Sequence, residues 1–202
     1  MNSLLGLSRL IDGFSERVGK SVYWLILAAV LISALNAVVR KIFNMSSNAF
    51  LEIQWYLFSA VFLLTAGYTL LHKEHVRIDV ISGRLSKTKQ IWIDIIGLVF
   101  FLIPFCLLVI ALSWPLFVKV LVTSEMSSNA GGLIRWPVYV LMPLGFTLLV
   151  VQGLSELIKR FAFLRGLIED PTIKKIEKTA EEELAEAILK ASERKAAQEK
   201  TK

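Results

Sequence analysis

The side chains able to do chemistry are few in this sequence, and they do not converge. Cys106 is the only cysteine and stands inside a long apolar run, so it forms no intrachain disulfide and reads as a small apolar helix residue. The two histidines, His72 and His75, make an H-x-x-H pair that offers two metal ligands. Only Glu74 and Asp79 are near enough in sequence to complete such a site, and an interfacial polar cluster accounts for the pair better than zinc does. No histidine lies within an apolar run, so a haem has no axial ligands there. No G-x-x-x-x-G-K-[ST] occurs to cradle a nucleotide phosphate. The expectation is a chain that is no enzyme and holds neither metal nor cofactor.

The elements that would carry these residues are mostly hydrocarbon. Of 202 residues 55% are apolar and 20% charged, with a mean hydropathy of +0.60, where a soluble domain has roughly 45–50% apolar residues and about 25% charged. The excess sits in four uncharged runs at 21–39, 53–71, 95–118 and 136–155. A helix rises ~1.5 Å per residue and a bilayer core is ~30 Å thick, so each run suffices to cross it. The fold class expected is an all-α integral membrane protein with four transmembrane helices, at about 21–42, 50–71, 92–118 and 134–157, within a domain spanning 20–160. Two flanking pieces differ. In residues 1–19, Leu4, Leu7, Ile11, Phe14 and Val18 recur at helical spacing with Arg9, Asp12, Glu16 and Arg17 between them. That pattern predicts an amphipathic helix ending near Gly19 and lying on the membrane surface. Residues 161–202 are a charged tail, with Asp170-Pro171 as a helix start and a balance of acidic and basic residues, expected to form a cytoplasmic helix.

Orientation follows from Lys and Arg rather than from the net charge of +6. The N-terminal segment, the link between the second and third spans and the segment after the fourth hold most of them; the other two links hold only Arg40, Lys41, Lys119 and Arg135. Both termini are therefore expected inside. The basic residues outside the tail flank apolar runs instead of clustering on a folded polar face, so nucleic acid is not the implied partner. Nor does the chain resemble a self-sufficient transporter. Glu52, Asp94 and Glu156 sit at helix edges, and no ionisable group or glycine-broken helix marks a site at mid-membrane. What remains is packing chemistry. Asn36, beside the Ala29, Ser33 and Ala37 stripe, permits close helix approach and an interhelical hydrogen bond, within the bundle or to a second protein. Glu52, Gln54, Trp55 and Tyr56 bring a carboxylate, an amide and two amphipathic aromatics to a membrane boundary, which suits a partly wet interface.

One stretch carries a family resemblance. Residues 48–80, NAFLEIQWYLFSAVFLLTAGYTLLHKEHVRIDV, are similar to the small membrane subunit, Q (DctQ-like), of tripartite ATP-independent periplasmic (TRAP) transporters. The matching elements are Glu52, Trp55-Tyr56 with Phe58, Ala66-Gly67-Tyr68, and His75-Val76-Arg77 followed by Asp79. A weaker likeness covers Glu125, Ser127, Trp136, Tyr139, Pro143 and Gly145, whereas Asn129-Ala130-Gly131-Gly132 stands where many members have a serine-proline turn. The resemblance implies a non-catalytic subunit of the bacterial or archaeal cytoplasmic (inner) membrane. Its partners would be membrane lipid, a large membrane subunit, M, holding the substrate and sodium sites, and a periplasmic binding protein, P, that delivers an organic acid anion. It further implies that Asn36, Glu52, Gln54, Trp55 and Tyr56 contact M or hold the bundle. His75, Arg77 and Asp79 would fix the cytoplasmic link, and Arg40, Lys41, Glu125 and Arg135 would meet the binding protein. The alternative from another class is the membrane anchor of a redox complex.

Overall fold

The structure is a computed structural model that describes residues 2–43, 47–72 and 85–168. Helix α1 (Asn2–Phe43) has no proline and runs unbroken through Gly13 and Gly19 for 42 residues, about 63 Å. Helix α2 (Asn48–Leu64) continues after a turn at Thr65, whose hydroxyl bonds the Val61 carbonyl at 2.7 Å, into α3 (Ala66–His72). The third long helix consists of α4 (Lys87–Ile96), a π-helical segment at Gly97–Leu102 and α5 (Ile103–Thr123). The wide segment ends just before Pro104, whose ring would press on the carbonyl of the preceding turn and whose nitrogen has no proton to donate. Helix α6 (Trp136–Leu164) opens with Trp136-Pro137, where a missing N–H costs nothing. Four helices are thus long and apolar enough to cross a membrane.

The central helix is α6, which packs against α1, α2, α3, α4 and α5. Its buried residues are small or polar: Pro143, Gly145, Gln152, Gly153, Ser155, Glu156, Arg160 and Ala162. Large apolar side chains such as Phe58, Phe62, Phe100, Phe101 and Leu112 point outward. That inverts the soluble pattern and suits a lipid solvent, where burying leucine gains little and helices associate through close backbones and polar contacts. A Cβ on Gly145 would lie 2.6 Å from the Leu63 carbonyl oxygen, so α2 and α6 meet at backbone distance.

The N-terminal segment corrects one expectation, the position of its end. The helix does not stop near Gly19; that glycine is buried beneath the Tyr68 ring, where a Cβ would meet ring carbons at 2.2 Å. Its role is close approach rather than termination. The polar residues of this segment divide: Arg9 and Arg17 are exposed, and Asp12 and Glu16 are half-buried. Ser8 and Ser15 are buried against α6, while Leu4, Leu7, Leu10 and Phe14 are exposed. Spacing shows that a helix has two faces; the neighbouring helix decides which one turns inward.

Candidate functional site

Two polar assemblies lie at opposite ends of the bundle. At the end bearing the α5–α6 loop, Glu52 projects from the first turns of α2 and is 2% exposed. The Leu133 backbone N–H donates to its Oε2 at 2.7 Å, the Asn129 amide donates to its Oε1 at 2.9 Å, and the Ser127 hydroxyl also donates to Oε1. One carboxylate therefore holds the loop of residues 124–135 at three points, and a carboxylate suits such a place because it only accepts. The loop adds its own clasp. Met126 and Ile134 form an isolated bridge, Ser127 N–H donates to Leu133 O at 2.9 Å, and Arg135 N–H to Glu125 O at 3.0 Å. Gly131 takes φ +70°, a left-handed conformation that glycine adopts without strain. Asn48 donates to the Ala130 carbonyl at 3.0 Å and Tyr56 to the Ile134 carbonyl at 3.3 Å, so α2 binds both limbs of the loop.

Arg135 pairs with Glu125 at 2.8 Å, and that hydrogen bond raises its already high proton affinity above the ordinary arginine value. Trp55 packs edge to face on Tyr56 at 6.2 Å and is 56% exposed, an aromatic surface beside the loop. Gln54 is half-buried. Arg40 and Lys41 lie exposed in the last turn of α1 at this same end, and Asn36 is half-buried one turn earlier. The structure therefore brings Glu52, Tyr56, Glu125 and Arg135 into one bonded unit and leaves Trp55, Arg40 and Lys41 turned outward. His75, Arg77 and Asp79 lie outside the described residues, as does the tail from Asp170.

The opposite end holds an assembly that no single motif announced. The Ser155 hydroxyl donates to Asp12 Oδ1 at 2.7 Å and lies 2.7 Å from the Ser8 hydroxyl; Gln152 donates to Asp12 Oδ1 at 2.9 Å and accepts from Ser15 at 2.7 Å. Lys159 pairs with Asp12 at 3.1 Å and also touches Glu156. Glu156 Oε1 has no partner of hydrogen-bond geometry, so the Lys159 ammonium satisfies it as an ion pair. Arg160 reaches Glu156 at 2.5 Å and Asp94, on α4, at 3.1 Å. The network thus ties α1, α6 and α4 through three carboxylates and two cations, and Glu16 bonds His72 of α3 at 2.6 Å beside it. The signal in the sequence was the matched pair of polar stripes, Ser8-Asp12-Ser15 and Gln152-Ser155-Glu156-Lys159, each at three- and four-residue spacing. Ser127 and Asn129, named from the sequence only in the family comparison and not as site residues, had no periodicity to mark their contact with Glu52.

Neither assembly presents a pocket in which a nucleophile, a general base and an open reaction space converge. Both fasten structural elements to one another. The family profile described as "Tripartite ATP-independent periplasmic transporters, DctQ component" matches residues 14–163. No curated protein and no solved structure matches the chain. The profile covers the bundle from Phe14 of α1 to Phe163 near the end of α6; it includes the Glu52 assembly, and of the second assembly all but Ser8 and Asp12. The chain is therefore a multi-pass inner-membrane protein that belongs to the DctQ family, the small permease subunits of TRAP transporters.

Proposed function

We propose that this small subunit holds no substrate itself and serves as a rigid scaffold for the large membrane subunit of a sodium-coupled carrier of an organic acid anion. The loop of residues 124–135 would form part of the face that receives the periplasmic binding protein. Both termini lie in the cytoplasm in this reading, following the Lys/Arg bias, so the Glu52 end faces the periplasm. The supporting observation is the anchorage of that loop. A short extramembrane segment held by one carboxylate at three points is preorganised, and a preorganised surface loses little entropy when a partner docks. Arg40, Lys41 and Arg135 supply charge for steering a delivered protein.

The test is uptake by the reconstituted three-component system across a salt series. Arg40→Glu with Arg135→Glu should slow uptake most at low ionic strength, with the deficit shrinking as salt screens the charges. Unchanged uptake at every salt concentration would remove the docking role. Tagged Glu52→Ala with Trp55→Ala should recover less of the large subunit; full recovery would place that contact elsewhere on the bundle.

A further inference from the structure

Along α1 the last charges before the membrane run are Glu16, Arg17 and Lys20, and the residues from Ser21 to Val39 are uncharged. His72, which meets Glu16 at 2.6 Å, stands at the same level on α3. The two helices therefore enter the hydrocarbon together. Just inside that boundary they do not close on one another. Val18, Ser21 and Val22 are short side chains, and a groove of about 270 Å³ is left between them, Leu25 and Leu64, with Arg17 at its end. Leu25 lies about 13 Å from Glu16 along α1, and Leu64 about 12 Å from His72 along α2 and α3, so the groove runs from the charged level into the near leaflet.

The groove has a hydrocarbon floor and a cationic mouth. Val22 is 3% exposed and Val18, Leu25 and Leu64 are half-buried, whereas Arg17 and Ser21 are exposed. The Ser21 hydroxyl donates to the Arg17 carbonyl at 2.8 Å and is spent within the helix, while the Arg17 guanidinium forms no ion pair with any described residue. The carboxylate at this level, Glu16, is already held by Lys20 at 3.0 Å and by His72 at 2.6 Å. Trp24, two turns beyond Arg17 on the same side of α1, is 72% exposed, as an indole at a membrane interface would be. In a bilayer an apolar groove open to acyl chains fills with them, because an empty gap forfeits the dispersion contacts of its lining. A free cation at one end and a hydrocarbon trench leading inward follow the order of a phospholipid, phosphate first and acyl chain after. Charge selects the head group. A zwitterionic lipid would set its ammonium against Arg17 and Lys20, whereas an anionic one adds attraction. A helix from another protein could fill the trench only by also bringing a carboxylate to Arg17, at a level where lipid phosphates already stand.

We propose that the groove between α1 and α2 holds one acyl chain of an anionic phospholipid whose phosphate rests on Arg17. The site requires only that the chain lie in a bilayer and does not depend on the scaffold role; in the orientation argued above the lipid belongs to the cytoplasmic leaflet. The experiment uses the intact membrane complex in phosphatidylcholine vesicles containing a trace of phosphatidylglycerol with a diazirine on one acyl chain, or phosphatidylethanolamine carrying the same probe. After illumination, labelled peptides are located by mass spectrometry. Labelling by the phosphatidylglycerol probe should concentrate on residues 18–25 and on Leu64, above that of the phosphatidylethanolamine probe. Arg17→Gln should lower it there about fivefold, the attraction that one basic residue adds at an anionic lipid surface, and Arg17→Lys should keep most of it. Labelling of Phe100, Phe101 and Leu112, elsewhere on the exposed apolar surface, should not change in either variant, which also reports that the bundle is intact. Ser21→Phe, which puts a ring into the groove, should lower labelling by both probes. Equal labelling by the two probes with no effect of Arg17→Gln, labelling spread evenly over the exposed apolar surface, or a groove left unlabelled because another protein covers it would each overturn the proposal.

Discussion

Replacing Arg160 with methionine probes the logic of the bundle most directly. Its guanidinium is 4% exposed, accepts nothing, and donates to Asp94 at 3.1 and 3.2 Å, to the Glu156 carboxylate at 2.5 Å and to the Glu156 carbonyl at 3.1 Å. Methionine keeps much of the volume and removes the charge. Glu156, 1% exposed, then keeps only the Lys159 cation, which it shares with Asp12, and Asp94 loses its guanidinium contacts. Removing one partner of a buried ion pair costs about 3–5 kcal/mol, far more than the pair contributes net, because the stranded charge keeps its desolvation penalty. At ~1.4 kcal/mol per factor of ten, the folded population falls between about a hundredfold and a few thousandfold. For a chain of this size the unfolding midpoint should drop by roughly 6–20 °C. Thermal unfolding in mild detergent, read by circular dichroism and by the fluorescence of Trp92, two residues from Asp94, measures it. A triple variant, Arg160→Met with Glu156→Leu and Asp94→Asn, strands no charge and should recover more than half of the loss. A shift under 2 °C in the single variant, or a triple variant weaker than the single, would refute the claim that stranded charge dominates.

Other expected outcomes follow from particular contacts. Gly145→Ala places a Cβ 2.6 Å from the Leu63 carbonyl; overpacking of about 1–3 kcal/mol should outweigh the gain in helix propensity of up to ~1 kcal/mol, and the same unfolding assay should show a net loss. Gly97→Ala, which meets nothing within 4 Å, should not destabilise. Glu52→Gln can turn only one acceptor oxygen to the loop and sets an amide N–H against either the Leu133 N–H or the Ser127 and Asn129 donors. Limited proteolysis within residues 126–133 should then be faster than in the wild type, with the helices intact. Arg135→Gln, which loses a half-exposed pair with Glu125, should leave the unfolding midpoint unchanged, as surface ion pairs generally do.

How far the fold was legible depends on the solvent. Four spans could be read because hydrocarbon tolerates almost no charge and every backbone group must be satisfied within its helix, so an uncharged run of twenty residues has few alternatives. The first boundary could not. Gly19 has the composition of a helix end, and only the Tyr68 ring lying across it shows why the position has no side chain. The site was partly legible. Glu52 stood out as a carboxylate at a membrane edge, but its bonds run to Ser127, Asn129 and Leu133, about 75–81 positions away, and nothing local encodes that meeting. The Asp12, Gln152, Ser155 and Lys159 network was written as two polar stripes whose relation became visible only when α1 and α6 lay side by side.

The sequence by itself determined that this protein has four stretches long and apolar enough to cross a membrane and that it resembles the small TRAP subunit. These conclusions rest on properties summed along one helix or one motif: hydropathy, charge and spacing. Tertiary structure decided which side of the N-terminal helix faces the bundle, which carboxylate clamps the loop of residues 124–135, and which large apolar side chains stay exposed. Those depend on pairing between helices, where close backbone contact and the satisfaction of buried charge outweigh any single helix's amphipathic pattern.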